Sequence, residues 1–150
     1  MKILGRYDRV DLPELGLRNI HAKVDTGAFR CSLHCQSVKI IDGELEFILL
    51  DEEHPEFTGH PFRAKHFHER EIKNSFGESE KRFVITTTLT IHGETFEADF
   101  SLSNRGSLKF PILLGRRILQ KRFLIDVTQK NISYKEKIKQ KKVKQKTKRA

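Results

Sequence analysis

Along most of this chain apolar and polar residues alternate with period two, and helical periodicity is scarce. Tyr7-Asp8-Arg9-Val10-Asp11-Leu12-Pro13 reads as a strand leading into a turn at Glu14-Leu15-Gly16, and Asn19 to Val24 reads as the next strand. Ser37 to Leu50 has the form of a hairpin, with Asp42-Gly43 as the turn pair. Asp51 to Glu69 is polar and carries Pro55 and Pro61, which predicts a long loop or insertion. Two β runs then flank Gly77-Glu78-Ser79-Glu80, and His92-Gly93 turns the chain into the alternating segment Thr95 to Leu102. After the apolar stretch Phe110 to Gly115 comes one short helix, near 116–122. Phe123 to Val127 and Asn131 to Tyr134 are predicted to close the fold as a last hairpin. The pattern as a whole predicts an all-β fold, barrel-like and closed.

Length bounds this picture. With 150 residues the chain suffices for one domain with a single core, and is too short for a two-lobed enzyme. No apolar run reaches the length of a membrane span, so no membrane partner is expected. The start, Met1 to Arg6, lacks the apolar stretch of a secretory signal, and a cytoplasmic protein is expected.

Charge divides the chain in two. Residues 135–150 hold nine Lys and Arg against one acidic residue, whereas residues 1–134 hold twenty against nineteen. The division is therefore a domain over 1–134 and a basic, disordered tail over 135–150. A solubility extension and a surface for an acidic partner or RNA both fit that tail.

Candidate chemistry centres on Asp25-Thr26-Gly27-Ala28, delivered by the strand that ends at Val24. Aspartic proteases use two carboxylates sharing one proton, one acting as base toward water and the other as acid. This chain has a single Asp-Thr-Gly, so the second aspartate must come from a second copy. Thr26 is placed to reach across a two-fold axis, and Gly27 lets the backbone approach substrate closely. Cys31 and Cys35, four apart on a strand, would sit about 13 Å apart at ~3.3 Å per residue. That exceeds the reach of a disulfide, about 7 Å between Cα atoms, and points to reduced thiols. Metal binding by Cys31, His34 and Cys35, or by His66 and His68 beside Glu69 and Glu71, stands as an alternative to plain packing or solvation. No His-Glu-x-x-His occurs.

Several stretches together carry a resemblance. They are Leu12 to Gly16, Ala22 to Ala28, Leu33-His34, Ile72 to Gly77, Ser103-Asn104-Arg105 and Phe110 to Arg117. In them the chain resembles the retropepsins, homodimeric aspartic proteases of retroviral type. It is still more similar to the bacterial retropepsin-like family known as ATP-dependent zinc proteases, found beside ATP-grasp glutamate ligases of the RimK type. The resemblance implies an acid-protease barrel, a homodimer joined through its active-site loops, and Asp25, Thr26 and Gly27 as the catalytic triplet, with no cofactor. It further implies a flap over Ile72 to Val84, with Ala28, Asn74, Ser75, Phe76 and Gly77 along the substrate, and support from Gly115, Arg116 and Arg105. The implied reaction is hydrolysis of peptide bonds in a protein substrate, with acidic or glutamate-extended ends as candidates and a glutamate ligase as functional partner. Alternatives are a catalytically silent peptide- or ribosome-binding module and a zinc-dependent hydrolase. One departure stands out: where many retroviral enzymes have an acidic residue after Asp-Thr-Gly-Ala, this chain has Phe29, so Arg116 is expected to find another carboxylate.

Overall fold

The computed structural model describes residues 1–73, 76–104 and 110–149. In chain order the strands are β1 (Lys2–Leu4), β2 (Tyr7–Leu12), β3 (Leu17–Val24), β4 (Cys31–Ile41), β5 (Glu44–Leu49) and β6 (Pro61–Ala64). They continue with β7 (His68–Lys73), β8 (Ser79–Ile91), β9 (Glu94–Ser103), β10 (Ile112–Leu114) and β11 (Phe123–Ile125). Among the described residues the remaining elements are the α-helices α1 (Arg116–Leu119) and α2 (Ile132–Arg149), with a 3-10 turn at Pro13–Leu15.

Six strands close a ring in the order β10-β3-β2-β8-β9-β4, because β10 pairs with both β3 and β4. The ring is mixed: β10–β3 and β9–β4 are parallel and the other joins antiparallel. Alternation fills its interior, since β2 buries Val10 and Leu12, β9 buries Ala98, Phe100 and Leu102, and β10 buries Ile112 and Leu114. The turn pairs work as the sequence suggests. Asp42 and Gly43 both have positive φ, as do His92 and Gly93, the signature of the type I′ turn that suits strand twist.

Three expectations need correction. The stretch 51–69 is not all loop: β6 extends the β4–β5 hairpin, and β7 begins at His68. Pro61 opens β6, a sheet-edge position where its missing N–H costs no ladder bond. The last hairpin does not form. Instead β11 pairs in parallel with β1, and Ile132 starts a helix. The stretch read as a disordered tail continues as α2 to Arg149.

What starts that helix lies far away in sequence. Asp8 falls on the inward side of β2 and is fully buried, and its carboxylate accepts the N–H groups of Ser133 (2.9 Å) and Tyr134 (3.0 Å). It thus caps two of the donors that a helix N-terminus leaves unpaired. Arg9 stacks on the Tyr134 ring at 4.4 Å, and Lys137 bonds Asp11 and Asn19. Asp8→Ala is expected to cost about 2 kcal/mol, read as a lower urea midpoint with partial loss of helical ellipticity. Asp8→Asn, which keeps one acceptor, should lose less. A parental midpoint for Asp8→Ala would show that the cap does not hold α2.

Candidate active site

Asp25 follows directly on β3, whose ladder with β10 runs through Val24↔Leu114. The Asp25 N–H continues that ladder by donating to the Leu114 carbonyl at 2.9 Å. The chain then turns tightly: Asp25 Oδ1 accepts the Gly27 N–H at 3.0 Å, and the Asp25 carbonyl accepts the Ala28 N–H at 3.2 Å. A side chain at Gly27 would press on that carboxylate, since a Cβ there lies 3.3 Å from Oδ1. The inner side of the loop is pinned and the outer side is open. Asp25 and Ala28 are half-buried, whereas Thr26 and Gly27 are exposed.

The pinning comes from the start of α1. Arg116 N–H donates to the Ala28 carbonyl (2.8 Å) and Arg117 N–H to the Phe29 carbonyl (2.9 Å). Arg116 Nη1 donates to the Thr26 carbonyl at 2.9 Å, and its guanidinium lies 5.8 Å from the centre of the Phe29 ring. This corrects the expectation of a carboxylate for Arg116: among the described residues its partners are a backbone carbonyl and an aromatic face. Phe29 accounts for the exchange, because it offers a quadrupole where an acid would offer a charge. Asp25, Thr26, Gly27, Ala28 and Arg116 thus form one interlocked unit, and Gly115 packs against the Arg30 main chain just beyond it.

The expected flap is a hairpin in which β7 and β8 pair from His68↔Val84 to Lys73↔Ser79. Phe76, at its tip, is 88% exposed, and Gly77 has φ +79°. Asn74, Ser75 and Arg105 lie outside the described residues, so their assigned roles have no structural counterpart here.

The two cysteines serve packing. Cys31 and Cys35 are free and buried in β4; burial pushes the Cys31 thiol up to about 11 and the Cys35 thiol up as well. Both therefore stay protonated and unreactive near neutral pH. His34 is buried, and its Nε2 meets Asp51 Oδ2 at 2.8 Å. Burial by itself would raise the Asp51 carboxyl, but the Glu53 N–H, His34 and His54 together hold it below its ordinary value. His66 and His68 are exposed, and among the described residues no three His, Cys, Asp or Glu side chains are grouped to hold a metal ion.

One feature escaped the sequence. Just past the loop, Arg30, Cys31, Thr86, Glu97, Asp99, Arg117 and Arg122 line a cavity of about 200 Å³. Arg117 is paired with Asp99 at 2.8 Å, and Thr86 donates to the same carboxylate at 2.7 Å. Among the described residues Arg30 Nη1 is out of solvent without a hydrogen-bond partner. Burial, then Arg70 and Arg117, pull the Arg30 pKa down, while Asp99 opposes them. A guanidinium does not deprotonate in proteins, so Arg30 stays a cation on this cavity wall, with Asp99 as the opposing carboxylate.

Known proteins agree with this architecture. A crystal structure of a protein of unknown function from Legionella pneumophila subsp. pneumophila superposes with a TM-score of 0.68 at 22% identity, over 88% of this chain and 98% of that one. At that identity it speaks for the fold alone. Curated relatives named "Probable alpha-L-glutamate ligase" are 35% identical in Desulfotalea psychrophila and 34% identical in Shewanella pealeana, each over 83% of this chain. The chain spans 28% of the length of those relatives, so they carry this domain inside a longer protein. Residues 3–136 match the profile described as RimB-like, "Retropepsin-like aspartic endopeptidase RimB". The closed mixed barrel, the Asp25 loop pinned by Arg116 and Arg117 and this match together place the chain in the RimB-like family of retropepsin-like aspartic endopeptidases.

Proposed function

We propose that the protein is an aspartic endopeptidase that works as a homodimer, each chain giving one Asp25 to a shared site. The observation that carries this reading is the asymmetry of the loop: bonded throughout on its inner side, it leaves Thr26 and Gly27 exposed on its outer side, where a second copy would meet it. One unprotonated Asp25 takes a proton from a bound water as the water oxygen attacks the amide carbon. The protonated Asp25 of the other chain donates to the carbonyl oxygen, giving a neutral gem-diol. Collapse of that intermediate breaks the C–N bond, with one carboxyl protonating the leaving amine and the other recovering the hydroxyl proton. The β7–β8 hairpin closes over the peptide and excludes water.

The substrate class proposed is an acidic or glutamate-extended protein segment. Two features favour it: Arg30 beside the loop, whose Nη1 has no hydrogen-bond partner among the described residues, and the relatives that carry this domain within chains named as glutamate ligases. A substrate carboxylate in that cavity would accept the hydrogen bond that Arg30 Nη1 can donate.

The test compares a glutamate-tailed peptide with its glutamine counterpart over a dilution series of the protein. Expected are an at least ten-fold preference for the glutamate peptide, most of it lost in Arg30→Gln, and a rate that falls as the square of protein concentration at high dilution. A strictly linear rate at every dilution sinks the shared site. Equal cleavage of the two peptides sinks the acidic substrate while leaving the shared site standing.

A further inference from the structure

The family match ends at residue 136, yet α2 runs on to Arg149, so most of this helix lies beyond the shared domain. Eighteen residues give it a length of about 27 Å. Its first two turns are fixed to the barrel by Asp8, by Ser133 Oγ accepting the His92 N–H at 2.9 Å, and by Lys137 on Asp11. From Lys139 to Gln145 every residue is exposed.

Lysines fall into two rows along it. Steps of four and three place Lys135, Lys139 and Lys142 on one face, and the same steps place Lys137, Lys141 and Lys144 on a roughly opposite one. Like charges at i and i+4 destabilise a helix by a few tenths of a kcal/mol per pair, so this helix holds an unfavourable charge density that a polyanion would relieve. The apolar residues past the first turn are Ile138 and Val143, too few for the apolar stripe that a membrane surface or a protein groove requires. Nor does the exposed part present an aromatic ring on which single-stranded bases could stack.

We propose that α2 is a binding surface for the phosphate backbone of double-stranded RNA, independent of sequence. Beyond Lys137, which Asp11 and Asn19 hold, Lys139 and Lys142 on one face and Lys141 and Lys144 on the other can engage phosphates on both sides of a groove. Because the first turns lie flush with the barrel, the helix as a whole cannot sink into the B-DNA major groove, roughly 8.5 Å deep. The minor groove of an A-form duplex is wide and shallow, and lines its floor with 2′-hydroxyls. Gln140 and Gln145 lie in the two opposite gaps between the rows, so whichever gap meets the groove offers an amide donor and acceptor to such groups.

The experiment measures fluorescence anisotropy of the full chain with a 20-base-pair RNA duplex of arbitrary sequence across a salt series. The parent should bind with a steep negative slope of log K against log salt. Lys139, Lys141, Lys142 and Lys144 all replaced by Gln, a residue that keeps the helix, should weaken binding at least ten-fold at low salt and flatten the slope by about four. Circular dichroism confirms that the helix persists in that variant. Asp25→Asn should bind RNA like the parent. Parental binding by the four-fold variant overturns the proposal. A DNA duplex of the same sequence bound as tightly, or a glutamate decamer that displaces RNA at equal charge concentration, overturns it too, the latter in favour of an acidic peptide partner.

Discussion

Replacing Asp25 by asparagine is expected to remove peptide hydrolysis by about four orders of magnitude or more while leaving the fold untouched. The amide oxygen can still accept the Gly27 N–H now held at 3.0 Å, so the turn persists and the melting temperature should stay within a degree or two of the parent. What disappears, on the proposed mechanism, is the ionisable oxygen that takes the proton from water. Mixing carries the test further. If each site needs one Asp25 from each chain, a nine-fold excess of the variant traps about nine-tenths of the intact chains in dead heterodimers, and activity per intact chain falls about ten-fold. A self-sufficient chain would keep its full rate in the same mixture. Retention of more than about a hundredth of the parental rate by Asp25→Asn alone would place the chemistry elsewhere.

Much of this molecule is written in local sequence, and the exceptions share a cause. Alternation in Tyr7–Leu12 and Glu94–Ser103 shows strands because one face of each meets the core. Asp42-Gly43 and His92-Gly93 show hairpins because few residue pairs accept positive φ twice in succession. Asp25 is visible because a motif and the strand before it coincide. Barrel closure was expected, but the way it is achieved has no local sign. It depends on three residues, Ile112–Leu114, inserted between β3 and β4, and such a short apolar run fits many settings.

Helix α2 was hidden for a like reason. A lysine-dense stretch predicts self-repulsion and disorder, and what offsets this is a carboxylate 125 residues away on a strand whose pattern marks the position as interior without saying why an acid stands there. Arg30 is the same case within the site. An arginine after Phe29 has no meaning until the fold brings Arg117, Asp99 and Thr86 around it from three other elements. Arg116 departs from its expected partner because charge complementarity is readable in a sequence, whereas an available backbone carbonyl at Thr26 is not.

Gly115→Ala should damage fold and activity together, costing about 3 kcal/mol or more. A Cβ at this position would lie 2.6 Å from the carbonyl carbon and 2.8 Å from the nitrogen of Arg30. These are main-chain atoms at the head of β4, and no rotamer change can move them aside. Relief requires that either the end of β10 or the start of β4 shift outward. Either motion strains the bonds from Arg116 and Arg117 to the Ala28 and Phe29 carbonyls, and with them the seat of Asp25. The expected readouts are a urea midpoint lowered in proportion to the lost stability and a kcat that falls further than the folded fraction does. The control is Gly43→Ala, which meets no atom within 4 Å and should cost only what its positive φ imposes, about 1 kcal/mol. Equal losses at the two glycines would mean that close packing of Gly115 on Arg30 does not support the aspartate loop.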